Sequence, residues 1–112
     1  MPKVTILTLF PEMFPGPLGH SLIGKALEKK LWNLEVVDIR SFATDKHQTV
    51  DDTCFGGGPG MVMKADVVDA ALSAVMEKGK ARLVHLTPRG RVFKQQEAQG
   101  LAHSSLTLVF LC

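Results

Sequence analysis

Cysteine is scarce in this sequence of 112 residues, and long apolar segments and a large excess of either charge are missing. The two cysteines, Cys54 and Cys112, form neither a CxxC pair nor a disulfide framework, which is typical of a reducing compartment. No apolar run approaches the roughly 20 residues of a membrane span, and the first one, residues 4–10, is too short for a signal peptide. We therefore expect a cytoplasmic protein without a membrane partner.

The overall charge does not identify a partner. The 13 cations and 11 anions leave a formal charge of +2, which alone is too small to indicate a nucleic-acid binder. A hydrophobic content of 46% over this length is enough for one domain with a single core. Because the net charge is small, a binding partner can be inferred only from where the charged residues lie along the sequence.

Strand-like and helix-like patterns alternate along the chain. β-Rich segments occur at residues 4–10, 34–39, 81–87 and 106–111, and helical periodicity occurs after Ser21, over 67–75 and over 93–103. We expect Ser21 to cap the first helix, in which Ile23, Leu27 and Leu31 recur every four residues. This order predicts an α/β fold, a parallel sheet flanked by helices, with ligands beyond the carboxyl ends of the strands.

The last predicted strand is continuously apolar, as in strands that are buried on both faces. It is followed only by Cys112, with no loop or polar cap. We therefore expect the chain to be the front part of a longer protein, whose next segment lines the ligand edge of the sheet. We also expect this strand to present an edge or a face that seeks a partner.

The stretch TVDDTCFGGGPGMVMK, residues 49–64, places four glycines and a proline in five consecutive positions. It fits neither a Walker loop, since Met61 follows Gly60, nor the dinucleotide pattern, which needs a glycine at position 61. The loop is free to adopt positive φ angles and leaves its backbone accessible. It is either a simple turn or a surface for a flat ligand such as a nucleobase.

The polar residues around this loop give no recognised catalytic or metal pattern. Asp45, His47, Asp51, Asp52 and Cys54 lack the spacing of a zinc or calcium site, so we expect no metal and assign turn and capping roles to the aspartates. No serine lies in a nucleophile elbow, and neither cysteine has a setting that lowers a thiol pKa. Nucleophilic catalysis therefore has no support.

The cations between residues 78 and 94 fall into two groups, and no acid lies among them. Lys78, Lys80 and Arg82 are predicted at the amino edge of the sheet, where they form a solvated face. A second group, Arg89, Arg91 and Lys94, is predicted at the carboxyl edge, beside the expected site. The second group is suitably placed for phosphate contacts.

Three motifs resemble the N-terminal part of the bacterial tRNA (guanine-N(1)-)-methyltransferases of the SPOUT class: LFPEMF at 9–14, HQTVDDTCFGGGPGMVMK at 47–64 and LTPRGR at 86–91. The resemblance covers nearly the whole chain. It implies a homodimer that transfers a methyl group from S-adenosylmethionine to ring nitrogen 1 of the guanine 3′ of the anticodon, with tRNA and not DNA as partner. It also implies a SPOUT-like fold whose trefoil knot is formed by a segment after Cys112.

The same resemblance implies roles for individual residues. Cofactor-binding residues would be His85, Leu86, Thr87, Pro88, Gly90 and Cys112, although the family usually has an aromatic residue at position 85 and a serine at 87. Substrate-binding residues would be Asp51, Asp52, Gly56, Gly57, Gly58, Pro59, Gly60, Arg89, Arg91 and Lys94, with the glycine loop facing the target guanine. The catalytic base would come from a later domain of the partner subunit, so none is assigned here; Asp51 or Asp52 is the alternative base.

Two other classes of protein remain compatible with parts of the sequence. A nucleotide-binding α/β protein without catalysis would share the sheet and the glycine loop, but it would not need cations at the ligand edge. A structural dimerisation domain would explain the apolar last strand, but it would not need the glycines. Titration with S-adenosylmethionine, ATP and NAD distinguishes these classes.

Overall fold

A computed structural model describes residues 2–43, 51–53, 61–77 and 79–111, and within 51–53 and 61–63 it describes the backbone alone. The strands are β1 (Lys3–Thr8), β2 (Asn33–Asp38), β3 (Asp51–Thr53), β4 (Met61–Met63), β5 (Ala81–His85) and β6 (Thr107–Leu111). The α-helices are α1 (Ser21–Glu28), α2 (Ala65–Met76) and α3 (Gln95–Ala102), and short 3-10 helices cover Pro11–Met13, Gly16–Gly19 and Ile39–Phe42.

Four strands form one sheet in the order β2-β1-β6-β5, and each neighbouring pair is parallel. Val4 in β1 is opposite Leu34 of β2 on one side and Leu108 of β6 on the other. The predicted parallel α/β sheet is therefore confirmed. Because β6 is paired on both sides, the expectation that it presents a free edge is wrong; β2 and β5 are the edge strands.

Helix α2 packs on one face of this sheet and forms the core with it. Val67, Ala71 and Val75 recur at helical spacing on α2, and all three are buried in one cluster with Leu7 of β1 and Val109 of β6. Burial of an apolar side chain of valine or leucine size contributes about 1.5–3 kcal/mol. The apolar stripe that the sequence predicted over 67–75 is thus the main contact between helix and sheet.

Helix α1 differs from its prediction at both ends. Its N-cap is His20, with no side-chain cap bond, whereas Ser21 lies inside the helix at φ 59°. The predicted apolar stripe is not buried among the described residues: Ile23 and Leu31 are 45% and 62% exposed. The helix ends in a Schellman-type turn, in which the Leu31 N–H donates to the carbonyl of Ala26 at 2.9 Å.

Residues 49–64, between β2 and α2, were predicted as a loop. Part of it is the antiparallel pair β3–β4, in which Asp51 is opposite Met63 and Asp52 is opposite Val62. The predicted loop is therefore wrong at both flanks. Three-residue strands carry too little periodicity to be detected in a sequence. The glycines at 56–60 lie outside the described residues.

The two helical glycines, Gly24 of α1 and Gly100 of α3, have opposite surroundings. A Cβ at Gly24 would fall on the backbone carbonyl of Gly19, whereas a Cβ at Gly100 would meet nothing within 4 Å. Gly24→Ala should lower the free energy of unfolding by about 1–3 kcal/mol through overpacking. Gly100→Ala should raise it by about 0.5–1 kcal/mol, because alanine is the better helix former. Urea unfolding measures both; destabilisation by both changes to the same extent would contradict the packing argument.

Candidate functional site

The parallel sheet brings the carboxyl ends of its four strands to one edge. Thr8, Asp38, His85 and Leu111 end β1, β2, β5 and β6, and the strand register places them side by side. In open parallel sheets this edge is where ligands bind. The loop that follows β5, residues 86–94, carries seven of the sixteen residues that the sequence assigned to a site.

The loops that begin at this edge are fixed by side-chain oxygens close to the strand ends. Thr8 Oγ1 accepts the Phe10 N–H at 3.1 Å, and Asp38 Oδ1 accepts the Arg40 N–H at 2.9 Å. Such bonds between a side chain and the backbone two residues later form a turn without any other support. The start of each of these two loops is therefore held by a hydrogen bond within its own chain segment.

The loop after β5 contains a turn of the same kind at Thr87. Thr87 Oγ1 accepts the Arg89 N–H at 3.3 Å, and the Thr87 carbonyl accepts the Gly90 N–H at 3.0 Å. A Cβ at Gly90 would lie 3.3 Å from the same carbonyl oxygen, so a larger residue would press on the turn. Thr87 thus fixes the backbone that leads from Thr87, a predicted cofactor-binding residue, to Arg89, the first cation predicted to contact phosphate.

A groove of about 640 Å³ runs between β5, this loop and α3. Its walls combine apolar side chains, two arginines and one carboxylate. The residues that line it are Arg82, Leu83, Val84, His85, Leu86, Thr87, Gly90, Arg91, Phe93, Glu97, Gly100, Leu101 and Phe110. This volume is within the roughly 300–1,000 Å³ that is usual for sites of small molecules and cofactors.

The structure brings only some of the predicted site residues together. Five of them line the groove: His85, Leu86, Thr87, Gly90 and Arg91. Pro88, Arg89 and Lys94 belong to the same loop and are exposed, but they are not among the lining residues. Asp51 and Asp52 are placed only as backbone of β3, while Gly56, Gly57, Gly58, Pro59, Gly60 and Cys112 lie outside the described residues.

The sequence did not single out the far wall of the groove. Phe93, Glu97 and Leu101 line it from the loop end and α3, and Phe110 lines it from β6. Arg82 also lines it: it lies at the amino end of β5, as predicted, and in addition shares the groove with Arg91. No local motif distinguishes these positions, and Phe110 becomes a neighbour of β5 only through the pairing of β5 with β6.

The charges in the groove include one close ion pair. Arg91 Nε lies 3.7 Å from Glu97 Oε1, and the Arg91 side chain is 77% exposed. Across the described ranges, no three His, Cys, Asp or Glu side chains are grouped so that they could hold a metal ion. Within the same ranges, none of the helices has the length and apolar character to cross a membrane.

The comparisons with known proteins identify the family. A family model described as tRNA (guanine-1)-methyltransferase TrmD matches residues 2–112. The chain belongs to the TrmD family. The resemblance carried by the three sequence motifs is therefore confirmed over almost the whole chain.

Individual TrmD relatives agree with this result. The tRNA (guanine-N(1)-)-methyltransferase of Rhodospirillum rubrum is 63% identical over 108 residues, which cover 96% of this chain and 45% of that protein. The protein of the same name from Ehrlichia ruminantium is 56% identical over 111 residues, which cover 98% of this chain and 47% of that protein. The chain thus spans about half the length of the curated relatives that it matches.

A solved TrmD-family structure has the same fold. The crystal structure of a tRNA (m1G37) methyltransferase from Aquifex aeolicus matches this chain with a TM-score of 0.82 and 25% sequence identity. The match covers 97% of this chain and 50% of the Aquifex chain. The parallel sheet and its helices are therefore those of a SPOUT-class methyltransferase, as the motifs implied.

Proposed function

We propose that residues 1–112 are the N-terminal, cofactor-binding domain of a tRNA (guanine-N(1)-)-methyltransferase. In this proposal the whole protein is a cytoplasmic homodimer that methylates ring nitrogen 1 of the guanine 3′ of the anticodon, and chain beyond Cys112 closes a trefoil knot. The observation that carries it is the family match over residues 2–112, together with relatives that bear the name of this activity.

The groove beside β5 fits the adenosyl part of S-adenosylmethionine in size and chemistry. Leu86 and Phe93, which are 62% and 64% exposed, offer apolar surface to a flat ring. The hydroxyl and carbonyl of Thr87 already accept backbone bonds inside its turn, so they hold the loop in shape. When bound, S-adenosylmethionine supplies a methyl group on a sulfonium, which needs alignment with its acceptor.

The residues of this chain would bind and orient, and the proton transfer would be performed elsewhere. Arg89, Arg91 and Lys94 lie on an exposed loop at the ligand edge, where cations can contact tRNA phosphates. Nitrogen 1 of guanine carries a proton that a general base must remove before it can attack the methyl group. We assign that base to a later domain of the partner subunit, with Asp51 or Asp52 as the alternative.

Cofactor binding is tested by a pair of substitutions in the loop after β5. Leu86→Ala should weaken S-adenosylmethionine binding about tenfold in calorimetric titration, because burial of a leucine side chain contributes about 1.5–3 kcal/mol. Val92→Ala is the matched control, since Val92 is 76% exposed on the same loop and does not line the groove. If Leu86→Ala and Val92→Ala weakened binding equally, or if the protein bound ATP and NAD as tightly as S-adenosylmethionine, the groove would not be the cofactor site.

Catalysis is tested by tritiated-methyl transfer to unmodified tRNA with two forms of the protein. The full-length enzyme should transfer the methyl group to ring nitrogen 1 of that guanine, while the 112-residue chain should not and should bind S-adenosylmethionine weakly. The reason is that the base and the rest of the cofactor pocket would lie outside this chain, so part of the favourable burial is missing while the entropic cost of association remains. Transfer by the short chain would place the base within it, with Asp51 and Asp52 as candidates.

The tRNA interaction is tested by salt dependence. Replacing Arg89, Arg91 and Lys94 together by alanine should flatten the plot of log affinity against log salt by roughly 1 for each phosphate interaction that the change removes. The control replaces Lys25, Lys29 and Lys80, which removes the same charge from exposed positions away from this loop. An identical slope for the two triple variants would show that the loop does not touch tRNA.

A further inference from the structure

The ion pair between Arg91 and Glu97 has a geometry that suits exchange of partners. Glu97 contacts the guanidinium at Nε, with Oε1 at 3.7 Å, and the Arg91 side chain is 77% exposed. An arginine carries five N–H donors, so contact at the Nε edge leaves the terminal amino groups for another acceptor. Ion pairs that are this exposed contribute little and are readily screened.

Glu97 is the only carboxylate among the described residues that line the groove, and it lies beside one of the two arginines there. It is held in place by α3, whose first turn contains it, and its side chain is only 32% exposed. The loop that carries Arg91 is thus paired with an acid from a separate element. A phosphate that approaches Arg91 must displace Glu97 or share the guanidinium with it.

We propose that Glu97 is an electrostatic gate that lowers the affinity of Arg91 for phosphate, and so weakens the binding of tRNA and of other RNA to the same degree. This rests on the proposed binding of tRNA through Arg91. In the free protein, Glu97 neutralises part of the Arg91 charge; when RNA binds, phosphate replaces it and the released carboxylate takes up a cation. The net release of counterions is therefore smaller than the same phosphate contact would give without Glu97.

Glu97 also has a local structural effect, which a test must separate from the gate. An acid in the first turn of α3 interacts favourably with the helix dipole, so its neutralisation weakens the helix slightly. That effect changes the unfolding midpoint but not the dependence of RNA affinity on salt. Binding measured over a salt series is therefore the readout that distinguishes the two.

The experiment uses the full-length protein with Glu97→Gln, alone and combined with Arg91→Gln. Two ligands are titrated from low to high salt: unmodified tRNA and a single-stranded oligouridylate. With Arg91 present, Glu97→Gln should raise affinity for both RNAs about twofold to fivefold and steepen the salt slope by a fraction of one unit. When it is added to the Arg91→Gln protein, it should change neither quantity.

The matched control is Glu28→Gln, which removes the same charge from an exposed position at the end of α1. Glu28 does not line the groove, so this change should leave both RNA affinities and both salt slopes as they are.

Any result with oligouridylate other than the expected one contradicts the gate. Weaker RNA binding by Glu97→Gln would show that Glu97 holds Arg91 in a productive position. If the gain in RNA affinity persisted when Arg91→Gln is also present, or if Glu28→Gln reproduced it, Glu97→Gln would act through net charge alone and not through Arg91. The wild-type protein could bind oligouridylate but not tRNA. If the variants then show the expected changes with oligouridylate, the gate stands and the proposed function fails. If it binds neither RNA, both proposals fail.

Discussion

The contact between α2 and the two central strands is the interaction on which the rest of the structure depends. Val67, Ala71 and Val75 pack on Leu7 and Val109, so one helix stabilises both β1 and β6. Those strands in turn hold β2 and β5 through parallel pairing. The loop after β5 and the groove beside it contain little buried apolar surface of their own, and their position follows from that contact.

The sequence predicted the elements that bury regular patterns and failed where burial is absent. The stripe over 67–75 identified α2 because its apolar residues face the sheet, whereas in the similar repeat at the first helix Ile23 and Leu31 are exposed, and Leu31 lies beyond the end of α1. Helical periodicity states which residues share a face, but it does not state whether a second element covers that face. The short β3–β4 pair was not predicted for another reason: a strand of three residues is too short to show an alternation of apolar and polar residues.

For the candidate site, the motif after β5 predicted one wall of the groove, whereas the other wall follows from the sheet topology. His85, Leu86, Thr87 and Gly90 are contiguous enough to be read as a motif, and they do line one groove. Phe110 and Glu97 reach the same groove only because β6 pairs with β5 and α3 connects them. Their residue types are ordinary for a strand and a helix, so nothing local distinguishes them. Recognition of a family adds roles to residues of the motif, but not to such neighbours.

The pairing of β1 with β6 also determines when this domain can fold during synthesis. Val4 is opposite Leu108, so the central strand acquires its second neighbour only after nearly all of these residues have been translated. At bacterial rates of roughly 5–20 residues per second, about 5–20 s separate the synthesis of the two strands. During that interval the apolar face of α2 has no complete sheet to cover it. An apolar helix face of the nascent chain therefore stays uncovered until β6 has been synthesised.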